Sequence, residues 1–180
     1  MSTTSTTQNG VTPSPSTPIN AVTPEQVADA IKAPGCAVNS IEQDGQVRLH
    51  SASHGIGFQV LWGNARAPGQ YADFTLSCPL RVQGGELPAG LLDSWHRSKR
   101  FARVSQHGDF VVLEMDVLVA GGVSADYLSV SLQLWMQMMG QFFVFLRNFK
   151  PDSKPDSITP PEKPGEPVGA AVEETAALAE

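Results

Sequence analysis

The feature that most constrains this fold is a run of 19 consecutive uncharged residues, 128–146. Such a run is close to the length that a helix needs to cross a bilayer. However, polar side chains recur in it every four residues, at Ser129, Gln133, Gln137 and Gln141. On a helix they form one continuous stripe, which a lone membrane span would expose to hydrocarbon. We therefore predict a helix outside the membrane and no membrane partner.

The apolar face of this predicted helix is unusually wide. The residues on it are Leu132, Trp135, Met136, Met139, Phe142, Phe143 and Leu146. They span more of the helix circumference than packing on one sheet requires, so the helix needs a second cover, from the other helices or from another subunit. The interface hypothesis is a homodimer or protein-binding surface that includes Trp135, Met136, Met139, Phe142 and Phe143.

The rest of the chain predicts a mixed α+β domain. Thr23 to Gln26 carry a capping hydroxyl, a first-turn proline and an N3 glutamine, which predict the start of a helix. Alternating apolar residues predict four antiparallel strands over residues 38–82, and Pro79 suggests an edge, a bulge or an early end of the fourth. A second helix at 91–100, a hairpin around 107–109 and a third helix capped by Ser124 complete the order α-ββββ-α-ββ-α.

Composition separates the ends from this domain. Residues 1–20 contain no charged side chain and are rich in Ser, Thr and Pro, while residues 150–180 are rich in Pro and Glu. Neither segment carries enough apolar surface to offset the entropy lost on ordering. We predict a disordered leader at 1–20, a folded domain at 21–149 and a disordered tail at 150–180.

Charge and targeting signals narrow the class of protein. The formal net charge is −6, of which residues 150–180 contribute −4. The folded part is therefore close to neutral and lacks a field that would attract nucleic acid. The first 20 residues lack the basic and apolar regions of a secretory signal. A cytoplasmic protein that does not bind nucleic acid is the expectation.

Cysteine and histidine spacing indicates no metal site and no cofactor. Cys36 and Cys78 lie 42 positions apart without a metal-binding spacing, so they are expected to be ordinary reduced thiols. His50 and His54 are separated by a predicted strand break, which denies them a shared helical face. Gly121 to Ser124 lack the lysine of a phosphate-binding loop and predict a turn followed by a helix cap.

A pair of carboxylates offers one candidate site. Glu114 and Asp116 are two apart on a predicted strand and therefore point to one face. This geometry could serve acid/base chemistry or bind a cation, but pairing with the nearby arginines is the favoured interpretation. A hydrolase based on these two residues is the least favoured function, and we predict that the protein is not an enzyme.

The strongest candidate site is a basic cluster, whose members are His96, Arg97, Lys99, Arg100 and Arg103. Arg97 and Arg100 are three apart, and on one helical turn they could clamp a carboxylate or phosphate. The alternative is that these cations cap the helix end and pair with Glu114 and Asp116.

Three motifs in this region resemble the YbjN family, which is described as bacterial sensory transduction regulators. They are Trp95 to Phe101, Leu113-Glu114-Met115-Asp116, and Gly121-Gly122-Val123-Ser124 with the helix reaching Phe142. The resemblance covers roughly residues 22–147, and the family pattern carries Asn at the position of His96. It implies a curved antiparallel sheet with flanking helices, similar to type III secretion chaperones, often dimeric and able to bind other proteins.

Two function hypotheses follow. The leading one is a non-enzymatic, cytoplasmic, chaperone-like or regulatory domain that binds a protein segment along an apolar surface. The alternative is an anion or nucleotide sensor that uses Arg97, Arg100 and Arg103.

Overall fold

The computed structural model describes residues 17–151 of the chain. Most of the predicted leader and tail lie outside the described residues. The last part of the predicted leader does make a tertiary contact, because Ile19 and Val123 exchange backbone hydrogen bonds of 2.8 and 3.0 Å. Ile19, within the predicted leader, therefore contacts the folded domain.

Within residues 17–151, three helices and a main six-stranded sheet form the domain. The helices are α1 (Pro24–Lys32), α2 (Leu91–Ser98) and α3 (Ala125–Asn148). The strands are β1 (Val38–Gln43), β2 (Gln46–Ser53), β3 (Ile56–Trp62), β4 (Ala65–Ala67), β5 (Gln70–Tyr71), β6 (Asp73–Arg81), β7 (Arg103–His107) and β8 (Phe110–Leu118). The sheet is antiparallel with the order β1-β2-β3-β6-β8-β7. The predicted α+β class and element order are confirmed.

The short hairpin β4–β5 was not predicted. It is inserted between the third and fourth strands of the meander, and its strands have three and two residues. Segments this short carry no measurable alternation of polar and apolar residues. β6 is a central strand and Pro79 pairs with Val112 of β8, but the pairing of β6 with β3 ends at Ser77 opposite Gln59, so the β3 side of the strand is open at the proline.

The start of α1 follows from the capping box predicted in the sequence. The backbone N–H of Thr23 donates to the side-chain oxygen of Gln26 at 2.9 Å, and the Gln26 N–H donates to the Thr23 hydroxyl at 3.4 Å. These bonds satisfy two donors that the first turn of a helix otherwise leaves unpaired. Val27 and Ile31 then place their side chains in the core.

All three helices pack on one face of the sheet. On β6 and β8 the core face carries Phe74, Leu76, Cys78, Leu113, Met115 and Val117. From α2 and α3 come Trp95, Leu132, Trp135, Met139 and Phe142, each at most 1% exposed. The edge of the Phe58 ring meets Trp135 with the ring centroids 5.7 Å apart. The opposite face of the sheet carries the polar and charged residues of the same strands.

The second cover that α3 requires comes from the helices of its own domain. Trp95 of α2 packs edge-on against Phe142, and α1 also contacts α3. Three predicted interface residues, Trp135, Met139 and Phe142, are therefore buried inside a single copy of the domain and cannot face a partner. The other two, Met136 and Phe143, are partly exposed.

Candidate functional site

A groove of about 880 Å³ lies between α2 and the C-terminal half of α3. Its position depends on Trp95, which is fully buried and donates its indole N–H to the Ala102 carbonyl at 2.9 Å. The same ring packs edge-on against Phe142 and Phe145, with centroids 5.1 and 5.3 Å apart. These contacts hold α2 beside α3 and leave the groove open along their outer surfaces.

The lining residues follow helical spacing on both sides. The α2 side contributes Gly90, Ser94, Arg97 and Ser98, and the α3 side contributes Gln141, Val144, Phe145 and Asn148. Residues three and four apart share one face of a helix, so each helix presents a continuous ridge to the groove. The volume lies within the range of typical ligand sites, about 300–1,000 Å³.

The floor of the groove is apolar. It is formed by Val144, Phe145 and Phe149, and the last two rings lie 5.5 Å apart. Val144 is 50% exposed, because it lies in line with the polar stripe of α3. An apolar side chain that remains half-exposed beside two aromatic rings is a surface that gains from being covered.

The rim of the groove is basic. Arg97, Lys99 and Lys150 line it, and none of the described lining residues is an aspartate or glutamate. Arg97 approaches Asp93 at 3.8 Å, but both side chains are largely exposed and such a pair is weak. Lys99 is the C-cap of α2 and its backbone N–H donates to the Trp95 carbonyl at 2.8 Å. The groove therefore combines an apolar floor with a positive rim.

Arg97 and Arg100 do not share a helical turn, because α2 ends at Ser98 and Lys99 is already extended. Arg100 instead stacks on the Phe101 ring at 5.0 Å from its centroid. Arg103 lies on β7 and pairs with Glu114 and Asp116. The three arginines of the predicted sensor site thus have three separate sets of partners.

Glu114 and Asp116 do share one face of the sheet, as predicted, and Arg103 bridges them. Its Nε donates to Glu114 at 3.1 Å, and its terminal nitrogen donates to Asp116. The Thr75 hydroxyl also donates to Asp116, at 2.6 Å. The Arg103 hydrogen bond lowers the pKa of Asp116, with a further contribution from Thr75, and raises the pKa of Arg103. A carboxylate held ionised in this way is poorly suited to proton transfer near neutral pH.

Phe101, which lies between α2 and β7, is held in an unusual backbone conformation. Its φ is 73°, and the Ala102 N–H donates to the Arg100 carbonyl at 2.9 Å. A hydrogen bond between residues i and i+2 around a positive φ is the pattern of a strained γ-turn. The ring is 62% exposed. Strain of this kind that displays an aromatic side chain often marks a contact site.

The other predicted candidates have local structural roles. His96 lies 2.9 Å from the Val104 carbonyl and ties α2 to β7. Cys36 and Cys78 are both free thiols, and burial raises the pKa of Cys78 to about 11. Ser124 caps α3 by accepting a bond from the Tyr127 N–H at 3.2 Å, after Gly121 and Gly122 turn the chain with positive φ.

Within residues 17–151, no group of three or more His, Cys, Asp or Glu side chains is arranged to hold a metal ion. In the same range, no helix is long and apolar enough to cross a membrane.

Comparison with known protein families assigns the domain to one of them. A family model described as "YbjN: Putative bacterial sensory transduction regulator" matches residues 22–148. The chain belongs to the YbjN family. The match covers every helix and strand described above, and the family description names a regulator rather than a reaction. No curated protein matches the sequence.

Sequence reasoning found Arg97 and Lys99 of the YbjN domain's groove but missed Val144, Phe145, Phe149 and Lys150. The groove exists because α2 and α3 are neighbours in space. The two helices are separated in the chain by β7 and β8, and no sequence pattern in that segment indicates that the helices are in contact. One signal was available: the four-residue spacing of Ser129, Gln133, Gln137 and Gln141 continues to position 145, where the chain carries Phe145 instead of another polar residue.

Proposed function

We propose that this YbjN domain is a non-enzymatic, chaperone-like regulatory module that binds an acidic, amphipathic segment of a partner protein in the α2–α3 groove. The observation that supports it is the combination of an apolar floor, Val144 with Phe145 and Phe149, and a rim that carries Arg97 and Lys99 without a carboxylate among its described residues. An apolar ridge on the ligand would cover the floor while its acidic residues pair with the rim.

A helical ligand suits this site better than an extended one. A groove between two helices accepts the apolar face of a third helix, which presents anchors at spacings of three and four residues. Each apolar anchor that becomes fully buried contributes about 1.5–3 kcal/mol. Two or three anchors, after the cost of ordering the segment, correspond to dissociation constants of roughly a micromolar or weaker. Reversible binding of that strength suits a regulator.

The groove also bears on the alternative sensor hypothesis. Of the three arginines assigned to an anion or nucleotide site, Arg97 lines the groove, whereas Arg103 is engaged by Glu114 and Asp116. The aromatic floor favours an amphipathic ligand over a purely anionic one. A cytoplasmic location, and a protein rather than nucleic-acid or membrane partner, remain part of the proposal.

The homodimer predicted from the sequence also remains a prediction. The wide apolar arc that suggested it is now less support for it, because most of that arc is covered inside one copy. Its remaining support is the partial exposure of Met136 and Phe143. Sedimentation equilibrium at micromolar concentration tests it directly.

Binding of three synthetic helical peptides to the full chain tests the proposal. The peptides share one leucine face and carry Glu, Gln or Lys on the other, and fluorescence anisotropy measures their affinity. We expect the acidic peptide to bind most tightly and to lose at least tenfold in affinity when Val144→Asp or Lys99→Glu is introduced. Binding should also weaken as salt rises, because the rim charges are exposed.

Matched controls separate the groove from general effects. Val130→Asp changes another valine of α3 that is 59% exposed and does not line the groove, and Arg66→Glu reverses an exposed charge on β4. Both should leave acidic-peptide affinity within twofold of wild type. Equal binding of the three peptides, or equal losses for groove and control variants, would overturn the proposal. Binding of free nucleotides but of no peptide would favour the sensor instead.

A further inference from the structure

We propose that the chain's own C-terminal segment, residues 168–180, is an intramolecular ligand of the α2–α3 groove and competes there with partner segments. This inference rests on the proposed function, because it assigns a second occupant to the same site. Three observations carry it: the composition of the segment, its charge relative to the groove, and the place where the described chain ends.

The segment has the chemistry that the groove selects. Residues 168–180 contain three glutamates, five alanines and one leucine, and no lysine or arginine. Alanine, glutamate and leucine are strong helix formers. With helical spacing, Val168, Val172 and Ala179 share one face, while the three glutamates, Glu173, Glu174 and Glu180, lie outside it. The result is an acidic amphipathic sequence of 13 residues.

A segment of this length is too short to be a stable helix by itself. Isolated helices below roughly 12–15 residues are marginal in water even when they are rich in alanine. Docking on Val144, Phe145 and Phe149 would supply the apolar contact that such a helix lacks. The prediction of a disordered tail and the proposal of a docked segment are therefore compatible, since folding and binding occur together.

Charge complementarity favours this pairing. The groove presents Arg97, Lys99 and Lys150, whereas residues 168–180 carry a formal charge of −3. Both partners are exposed, so the attraction is strongest at low salt. The intervening segment 151–167 is close to neutral by comparison, with four acidic and two basic side chains.

The tether begins at the groove itself. Phe149 and Lys150 line it, and the described residues end at Pro151. The 17 residues of 151–167 span at most about 50 Å as an extended proline-rich chain, which is ample for returning to a site beside their origin. A short tether gives an effective concentration in the millimolar range. If the free segment bound with a dissociation constant of about 100 µM, it would lower the apparent affinity of a partner by about tenfold.

Photocrosslinking in the full chain identifies the occupant. p-Benzoylphenylalanine is placed at position 144, in the groove, or at position 130 on the same helix as the matched control. We expect position 144 to give a crosslink to residues 168–180 within one copy, and position 130 to give none. A mixture of isotope-labelled and unlabelled chains distinguishes a crosslink within one copy from a crosslink between two copies. A crosslink between copies would overturn the intramolecular proposal. Absence of any crosslink to residues 168–180 would overturn it as well.

Competition provides the second measurement. The triple variant Glu173→Lys, Glu174→Lys and Glu180→Lys should bind the acidic probe peptide about tenfold more tightly than the wild-type full chain. The matched control reverses three charges nearer the domain, Asp156, Glu162 and Glu166, and should change affinity less than threefold. Equal affinity of all three proteins would overturn the tail proposal.

The two proposals fail in different ways. If the tail variant and wild type bind the acidic peptide equally and Val144→Asp abolishes both, the groove function stands and the tail is not its ligand. If the peptide binds neither protein, the proposed function itself is wrong, and the tail proposal falls with it.

Discussion

At the scale of single residues, close contacts explain positions that composition alone does not. Gly63 has the least space for a side chain among the described glycines. A Cβ there would lie 1.6 Å from Oδ1 of Asp73, whose carboxylate accepts hydrogen bonds from Asn64. Gly140 is a milder case, on α3 at the groove. Its Cβ position lies 3.2 Å from Nε2 of His54, which reaches across from the β2–β3 turn.

Gly140→Ala should raise the free energy of unfolding, because alanine is favoured over glycine in a helix by about 1 kcal/mol and the exposed His54 ring can move aside. We expect a gain of about 0.5 kcal/mol in wild type and about 1 kcal/mol in a His54→Ala background. Urea denaturation measures both. A loss of stability in the His54→Ala background would contradict the packing described for this glycine.

The ion pairs around Arg103 predict a pH dependence. Because the pKa of Asp116 is lowered in the folded state, its pairing stabilises the fold above the unfolded pKa and is lost as pH falls through the lowered pKa. Arg103→Gln should raise the pKa of Asp116 toward its ordinary value. Carboxyl-carbon NMR titration measures it, with Arg48→Gln as the control, and an unchanged Asp116 pKa would contradict the assigned cause. Asp116 is 58% exposed, so the effect on stability is small.

At the scale of elements, the sequence predicts what depends on local spacing. The capping box of α1 and the alternation in β6 and β8 are local signals, and all three elements lie where they were expected. The end of α2 was placed two residues too late, since the basic run at Arg97 to Arg100 resembles a helical C-terminus although the chain is already extended at Lys99. The hairpin β4–β5 is too short to carry any pattern.

The two sides of α3 should respond differently to the same substitution. Met139 is fully buried, so Met139→Asp places a charge in the core and should cost about 3 kcal/mol or more. Val144 is half-exposed, and Val144→Asp should change the free energy of unfolding by less than about 1 kcal/mol. Chemical denaturation compares them. Similar losses for both variants would show that the groove floor belongs to the core.

At the scale of the whole molecule, the sequence predicts the α+β class but not the groove. The need of α3 for a second cover is visible in Trp135 and Phe142, yet sequence spacing cannot tell a neighbouring helix from another subunit. The structure assigns that role to α1 and α2 and leaves Val144 and Phe149 at the surface. A site formed by elements distant in the chain becomes visible when their packing is known.

Chemical-shift mapping on the isotope-labelled full chain can locate the surface that binds the peptide. Titration with the acidic helical peptide should perturb the backbone amides of Ser94, Lys99, Gln141 and Val144 most strongly, because these residues line the α2–α3 groove. The opposite face of the sheet should change little. If the largest perturbations instead fall on Arg103, Glu114 and Asp116, the binding site is on the open sheet face and the account given for the groove is wrong.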